Sequence, residues 1–378
     1  TADSALNSAQ GVAALQKAHL LQSKYVVAFK TAFNEPAFDY SILNETQLTV
    51  SISSTSASTI ASGVLIARDA YADFELLSTR ESYIGESAGY ATSQAPSGAN
   101  IPVVQGFYYD GSEIEFQFRH LQGQFHVISD GKIVSTGDLG SVLNQPRWFK
   151  INLGVARLRK IYLVSYQALR GGITIEPSTN FYATRTEQPS IGVLGDSITA
   201  GSGSTNALNF TSALRWKLNS FDTASYGIGG SGYINNTGSG KFIDRLQEVY
   251  DAGHDYLMTA GGINDLSSSV SDFSTAVDAY YAAALLLFPA DKIIIVSNWT
   301  NSATLDATAT TQFRDVLEAK ATSIGAFFID AIRTQALGGY VTNANKYQLE
   351  DGTHPNNDMT LLYGHNIAAS MMGENLRL

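Results

Sequence analysis

From about residue 187 onward, short uninterrupted apolar runs alternate with helix-length segments, and this alternation constrains the fold more than any other feature. The runs are SIGVLGD (190–196), YLMTAGG (256–262) and KIIIVSN (292–298). Around them lie TSALRWKLNS (211–220), KFIDRLQEVYDAG (241–253), DFSTAVDAYYAAALLLF (272–288) and TTQFRDVLEAKATSIG (310–325). A strand that is apolar at every residue has both faces buried, and parallel neighbours need helical crossovers. The pattern therefore predicts an α/β domain with a parallel sheet between layers of helix. Ligands of such sheets bind beyond the carboxyl ends of the strands, and the first run ends there in Gly195-Asp196-Ser197.

The preceding texture is different. In EIEFQFRH (113–120), Ile114, Phe116 and Phe118 alternate with Glu115, Gln117 and Arg119, as in a half-buried strand. FHVISDGKIVS (125–135) sets Asp130-Gly131 between two strand-like runs, a hairpin signal because that pair tolerates positive φ. RWFKINL (147–153), KIYLVSYQ (160–167) and GITIEP (172–177) continue the pattern, which predicts an antiparallel β-sandwich. Residues 85–112, rich in Ser, Gly and Tyr, read as a less regular connection. Residues 1 to about 28 carry Ala and Gln, no Pro, and Val12, Leu15 and Ala18 at three-residue spacing, which predicts a helix. It either packs on the domain that follows or is the end of a longer stalk. At 378 residues the chain exceeds one core. The expected division is 1–35 N-terminal helix or stalk, 36–186 β-sandwich and 187–378 α/β domain.

Net charge narrows the partners. At −10, repulsion disfavours nucleic acid and anionic membranes. With no cysteine, disulfides, thiolate metal sites and cysteine nucleophiles are excluded. The longest apolar run, YYAAALLLF (280–288), is too short to span a bilayer. No charged-then-apolar leader follows Thr1, so a soluble chain whose signal peptide is absent or already removed is expected.

Ser197 could cap a helix, bind a phosphate or attack a carbonyl. Attack needs a base and a group that orients it. Of six histidines, His19, His120 and His126 lie outside the α/β region; His254 reads as a surface residue at a helix end and His365 as a residue of the last helix. His354 sits in LEDGTHPNN (349–357), three residues after Asp351, where a carboxylate and an imidazole can touch. Alone, this loop is equally an ordinary polar turn. SYGIGGSGY (225–233) is a glycine-dense loop whose N–H groups can approach a ligand, or simply a turn. No Gly-Lys-Ser/Thr follows it, which argues against a phosphate loop. In AGGINDLSS (260–268), Asn264 either projects its amide from the strand edge or caps a helix.

In order, Gly-Asp-Ser after one strand, a glycine-rich loop after the next, Gly-x-Asn-Asp after the third and Asp-x-x-His near the C-terminus resemble the four blocks of the SGNH hydrolase superfamily, the GDSL-type esterases. The resemblance covers roughly residues 189–370 and implies a flavodoxin-like three-layer fold. By it, Ser197 is the nucleophile, His354 the general base and Asp351 the partner that orients His354. The Ser197 N–H, the Gly230 N–H and the Asn264 amide form the oxyanion hole, with Gly229 a one-residue slip from Gly230. Ile198 stands where the family often has leucine, and Ser225 where asparagine is frequent. Asp196 is read as a brace for the turn. No cofactor or metal is expected, there being no His-Glu-x-x-His or clustered ligands.

The sandwich ahead of this domain resembles the jelly roll of two-domain carbohydrate esterases, which implies an acetylated polysaccharide as substrate. TADSALNSAQGVA resembles linker helices of bacteriophage tail fibres and tailspikes, which implies an extracellular or virion setting and a homotrimer through that helix. A lipase or thioesterase, and a non-catalytic glycan-binding protein, are the alternatives.

Overall fold

A computed structural model describes residues 24–26, 28–29, 49–53, 57–67, 75–77, 84–87, 90–93, 103–119, 124–138, 146–166, 169–184, 189–202, 209–220, 222–236, 238, 240–297, 307–332 and 353–373. The chain divides into two compact units, one of residues 1–35, 191–218 and 227–378, the other of 36–190 and 219–226.

A five-stranded sheet underlies the first unit, and its edge strand is drawn mainly from residues 219–226, grouped with the other. Its strands, numbered here along the chain, are β1 (Ile191–Gly195), β2 (Ala224–Gly227), β3 (Tyr256–Ala260), β4 (Ile293–Val296) and β5 (Phe327–Ile329), and their spatial order is β2-β1-β3-β4-β5. β1 runs parallel to β3, β3 to β4 and β4 to β5, with Gly195 opposite Ala260 and Ala260 opposite Val296. Every strand residue is buried, as the continuous apolar runs require. One face carries Ile191, Val193, Met258, Ile294, Val296, Phe327 and Ile329. These pack with Phe210 and Leu214 of helix Phe210–Lys217 and with Met359, Tyr363 and Ile367 of helix Asn357–Met372. On the opposite face, Gly192 lies against Val249 of helix Leu246–Asp251, and Thr259 bonds Tyr280 of helix Val270–Leu287. Phe273 stacks on Phe313 of helix Ala307–Ile324 at 4.0 Å, joining two outer helices. Ser269 and Asn356 cap helices by accepting the N–H of Asp272 and Met359. Among the described residues no helix is long and apolar enough to cross a membrane.

This order, 2-1-3-4-5, is the flavodoxin-like one, and its topological switch lies between β1 and β3. The loops leaving those two strands therefore diverge and open a crevice. Ser197 follows β1 and Asn264 follows β3.

Residues Lys24–Val26 and Ala28–Phe29 are helical, and Tyr25 and Phe29 are buried in the core of this unit. The Phe29 ring meets Phe327 at 5.0 Å edge-on, and the Tyr25 hydroxyl donates to the Gly325 carbonyl with the Ala290 carbonyl also within reach. The sequence reading set this segment on the domain that follows it or in a stalk. Its aromatic pair, spaced four residues apart and absent from the stripe of Val12, Leu15 and Ala18, instead completes the parallel-sheet core.

In the second unit two antiparallel sheets share one core. One orders strands Thr49–Ser53, Pro146–Asn152, Glu113–Arg119, Leu169–Ile175, Tyr90–Ser93 and Ile84–Ser87, with Val64–Ile66 also paired to Leu169–Ile175. The other orders Phe181–Ala183, Val103–Tyr109, Arg159–Tyr166, Gln124–Ser129 and Lys132–Asp138, with Glu75–Leu77 beside Val103–Tyr109. Ile114, Phe116, Phe149, Ile151 and Ile173 from the first sheet meet Phe107, Phe125, Val127, Ile161 and Leu163 from the second. Asp130 and Gly131 adopt φ of 49° and 78°, so the expected hairpin turns at the two positive-φ residues that suit the strand twist. The 85–112 stretch, read as irregular, contains three strands, among them Val103–Tyr109 inside the second sheet. Both faces of that strand are buried and glycine interrupts it at Gly106, so it carries no two-residue alternation to read.

Candidate active site

The crevice is assembled from four chain segments. Ser197 opens the short helix Ser197–Ala200 directly after β1 and is 8% exposed. Asp196 caps that helix: its Oδ1 accepts the N–H of Ile198 at 3.0 Å. His354 lies just ahead of Asn356, the side-chain cap of the C-terminal helix, with Pro355 buried between them. The cap and the buried proline fix this loop, and the His354 Nε2 stands 2.9 Å from the Ser197 Oγ across 157 residues of sequence. A hydroxyl at hydrogen-bond distance from an imidazole nitrogen is the geometry of a nucleophile with its base. Asp351 lies outside the described residues.

Asn264 sits in the 3₁₀ turn Ile263–Asp265 after β3, half-buried. Its Nδ2 donates to the Ser231 carbonyl at 2.9 Å. An amide nitrogen has two hydrogens, so this bond fixes the rotamer and leaves a second donor oriented. Gly230, in the loop after β2, has φ of 72°, a conformation suited to glycine. A Cβ on the adjacent Gly229 would lie 3.8 Å from the Ser197 Cβ, which puts this loop beside Ser197.

Residues 193–359 match the GDSL-like Lipase/Acylhydrolase family. Taken with the site geometry and the fold, that match decides the class of the domain. The parallel-sheet unit is an SGNH-type hydrolase domain.

A search of curated proteins finds no match to the chain. Among solved structures, a salicylyl-acyltransferase from a tetracycline biosynthetic pathway aligns with a TM-score of 0.62 at 13% identity, covering 83% of this chain and 96% of that one. A putative GDSL-like lipase from Bacteroides ovatus aligns with a TM-score of 0.58 at 12% identity, covering 84% and 100%. A family two carbohydrate esterase from Clostridium thermocellum, in complex with cellohexaose, aligns with a TM-score of 0.53 at 16% identity, covering 79% and 98%. At these identities the likeness is one of fold, and it spans the β-sandwich as well as the SGNH domain.

Sequence reasoning passed over Asp265, the residue after Asn264. Its buried carboxylate accepts the N–H groups of Tyr233, Ile234 and Asn235 at 2.8, 3.1 and 2.9 Å. It thus ties the turn bearing Asn264 to the loop bearing Gly230. Burial raises its pKa, opposed by the three N–H bonds. The one available signal was an acidic residue in an otherwise neutral turn. Gly232 makes room for it: a Cβ there would lie 2.4 Å from both Asp265 carboxylate oxygens. Gly232→Ala is expected to lower stability by about 2 kcal/mol and to reduce turnover along with it. A melting curve and an ester assay on the one variant check both; an unchanged melting temperature would refute the clash.

Asp196 is 1% exposed, and its Oδ2 lies against Gly261 beside a cavity of about 10 Å³ lined by Thr199, Phe210 and Tyr363, with no hydrogen bond from any described residue. Burial pushes its pKa up from 3.8 to about 6, opposed by the Ile198 N–H, His354 and Arg245. The folded protein therefore keeps this proton between roughly pH 4 and 6, where the unfolded chain has lost it, so stability falls as pH rises through that window. The full shift corresponds to about 3 kcal/mol. Asp196→Asn keeps the cap oxygen and removes the charge. Its melting temperature relative to wild type is expected to rise by several degrees from pH 4 to pH 7.5, and a constant difference would refute the buried-charge account. His254, read as a surface residue, is buried, with its ring over Gly192 of β1.

Proposed function

We propose that this protein is a serine esterase that removes O-acetyl groups from a polysaccharide. The observation that carries the reading is the 2.9 Å contact of the Ser197 Oγ with the His354 Nε2 at the carboxyl edge of the sheet. The Ser197 oxygen bonds to the acetyl carbonyl carbon while its proton passes to His354 Nε2. The oxyanion so formed takes hydrogen bonds from the Ser197 N–H, the Gly230 N–H and the Asn264 amide. Collapse breaks the bond to the sugar oxygen, which leaves with the proton from His354. Water then adds to the acetyl-enzyme by the same route, releasing acetate and restoring Ser197. Asp351, by its place three residues before His354, is the group that orients the imidazole.

A polar substrate is supported by the loop beside Asn264. Asn235 and Asn236 are exposed there, and the Asn235 amide donates to the Asn264 carbonyl at 3.3 Å. A long acyl chain would gain little from such a surface, whereas sugar hydroxyls would pair with it. The fold shared with a carbohydrate esterase agrees with this reading.

The test is acetate release from a panel of acetylated polysaccharides, with p-nitrophenyl esters of increasing chain length alongside. Preference for long acyl chains would make the protein a lipase or thioesterase; glycan retention without turnover would make it a binding protein. Because one structure of this fold is a salicylyl-acyltransferase, an added alcohol acceptor should be included. Ester formation outrunning acetate release would replace hydrolysis by transfer.

A further inference from the structure

One buried cation beside the site takes no part in the reaction above. Arg245 is 3% exposed and ends the 3₁₀ turn Ile243–Arg245. Its Nη2 donates to the Gly195 carbonyl at 3.0 Å and to the Ser231 Oγ at 2.8 Å. Those acceptors flank the nucleophile: Gly195 ends β1 two residues before Ser197, and Ser231 directly follows Gly230. The Ser231 hydroxyl donates to the Ile228 carbonyl at 2.8 Å, and the Ile228 N–H donates to the Gly195 carbonyl at 3.1 Å, so these bonds close a ring through the Arg245 Nη2. The Ser231 carbonyl, in turn, is what holds the Asn264 amide at 2.9 Å.

Burying a guanidinium carries a desolvation cost that a neutral side chain would not incur. The acidic groups Asp196, Glu248 and Asp244 and the Tyr280 hydroxyl act on it electrostatically, and the Phe242 ring lies 5.6 Å away. We propose that Arg245 is a positioning residue of the oxyanion hole. By clamping Ser231 to the end of β1 it holds Gly230 and Asn264 at fixed reach of Ser197, and it adds positive potential where negative charge develops. This rests on the reading of Asn264 as an oxyanion donor.

A double-mutant cycle in the full chain tests it: Arg245→Met, Asn264→Ala and the pair, with kcat and KM measured on p-nitrophenyl acetate. Arg245→Met alone is expected to lower kcat about 10–100-fold with KM within about twofold. In the Asn264→Ala background its loss should shrink by at least about threefold, because the donor it positions is gone. Equal losses in both backgrounds, an effect on KM alone, or no loss would overturn the proposal. Ser231→Ala removes the clamped hydroxyl but keeps the carbonyl on Asn264, and it carries the same cycle with the same outcomes if Arg245→Met does not fold. Wild-type turnover in Ser197→Ala would instead refute the underlying site. Impaired Ser197 and Asn264 variants beside an independent Arg245 effect would refute this inference alone.

Discussion

Replacing Ser197 with alanine is expected to cut ester turnover on the order of 10⁶-fold, with the fold intact. In the proposed mechanism the substitution deletes the atom that forms the acyl bond, an oxygen that stands 2.9 Å from the His354 Nε2. Little else depends on the Ser197 hydroxyl. The turn around it is braced by Asp196, whose Oδ1 caps Ile198, and by the Ala200 and Ser202 N–H groups on the carbonyls of Asp196 and Ser197. A melting temperature within a few degrees of wild type should therefore accompany the loss. Hydrolysis of p-nitrophenyl acetate is the measurement, and residual turnover above about one per cent of wild type would sink Ser197 as the nucleophile.

The second large effect belongs to Asn264. Asn264→Ala should lower kcat about 10²–10³-fold while KM changes far less, the cost of one oxyanion donor. The magnitude belongs at that level because the amide is already oriented. One hydrogen is held by the Ser231 carbonyl, and the turn is anchored through Asp265 to three successive N–H groups. A donor fixed in advance stabilises the transition state without reorganising. Asn264→Asp should be at least as impaired, since it sets a carboxylate where negative charge develops. Unchanged turnover in Asn264→Ala would remove the residue from the oxyanion hole and take the Arg245 argument with it.

The two halves of the chain differ in how openly their residues state their fold. β1, β3 and β4 are legible because strands buried on both faces must be apolar throughout, and the Asp130-Gly131 hairpin because its turn needs positive φ. Phe327–Ile329 escaped notice because three residues carry no period. Val103–Tyr109 escaped because burial on both faces erases alternation, and Gln105 and Gly106 interrupt its apolar run.

The same contrast holds at the site. The sequence alone determined which groups sit at strand ends: Ser197 after β1, the glycine loop after β2, Asn264 after β3 and His354 ahead of the last helix. These follow from local chemistry, namely apolar runs, turn residues and helix caps that act within a few positions. Only the tertiary structure decided that β1 and β3 are neighbours at the switch in strand order, and that His354 closes on Ser197 across 157 residues. It alone bound the loops that leave β1, β2 and β3 to one another through Asp265 and Arg245. Those two residues belong to no periodic pattern, and their roles are set by partners far along the chain. Their function exists only once the sheet order has brought those partners together.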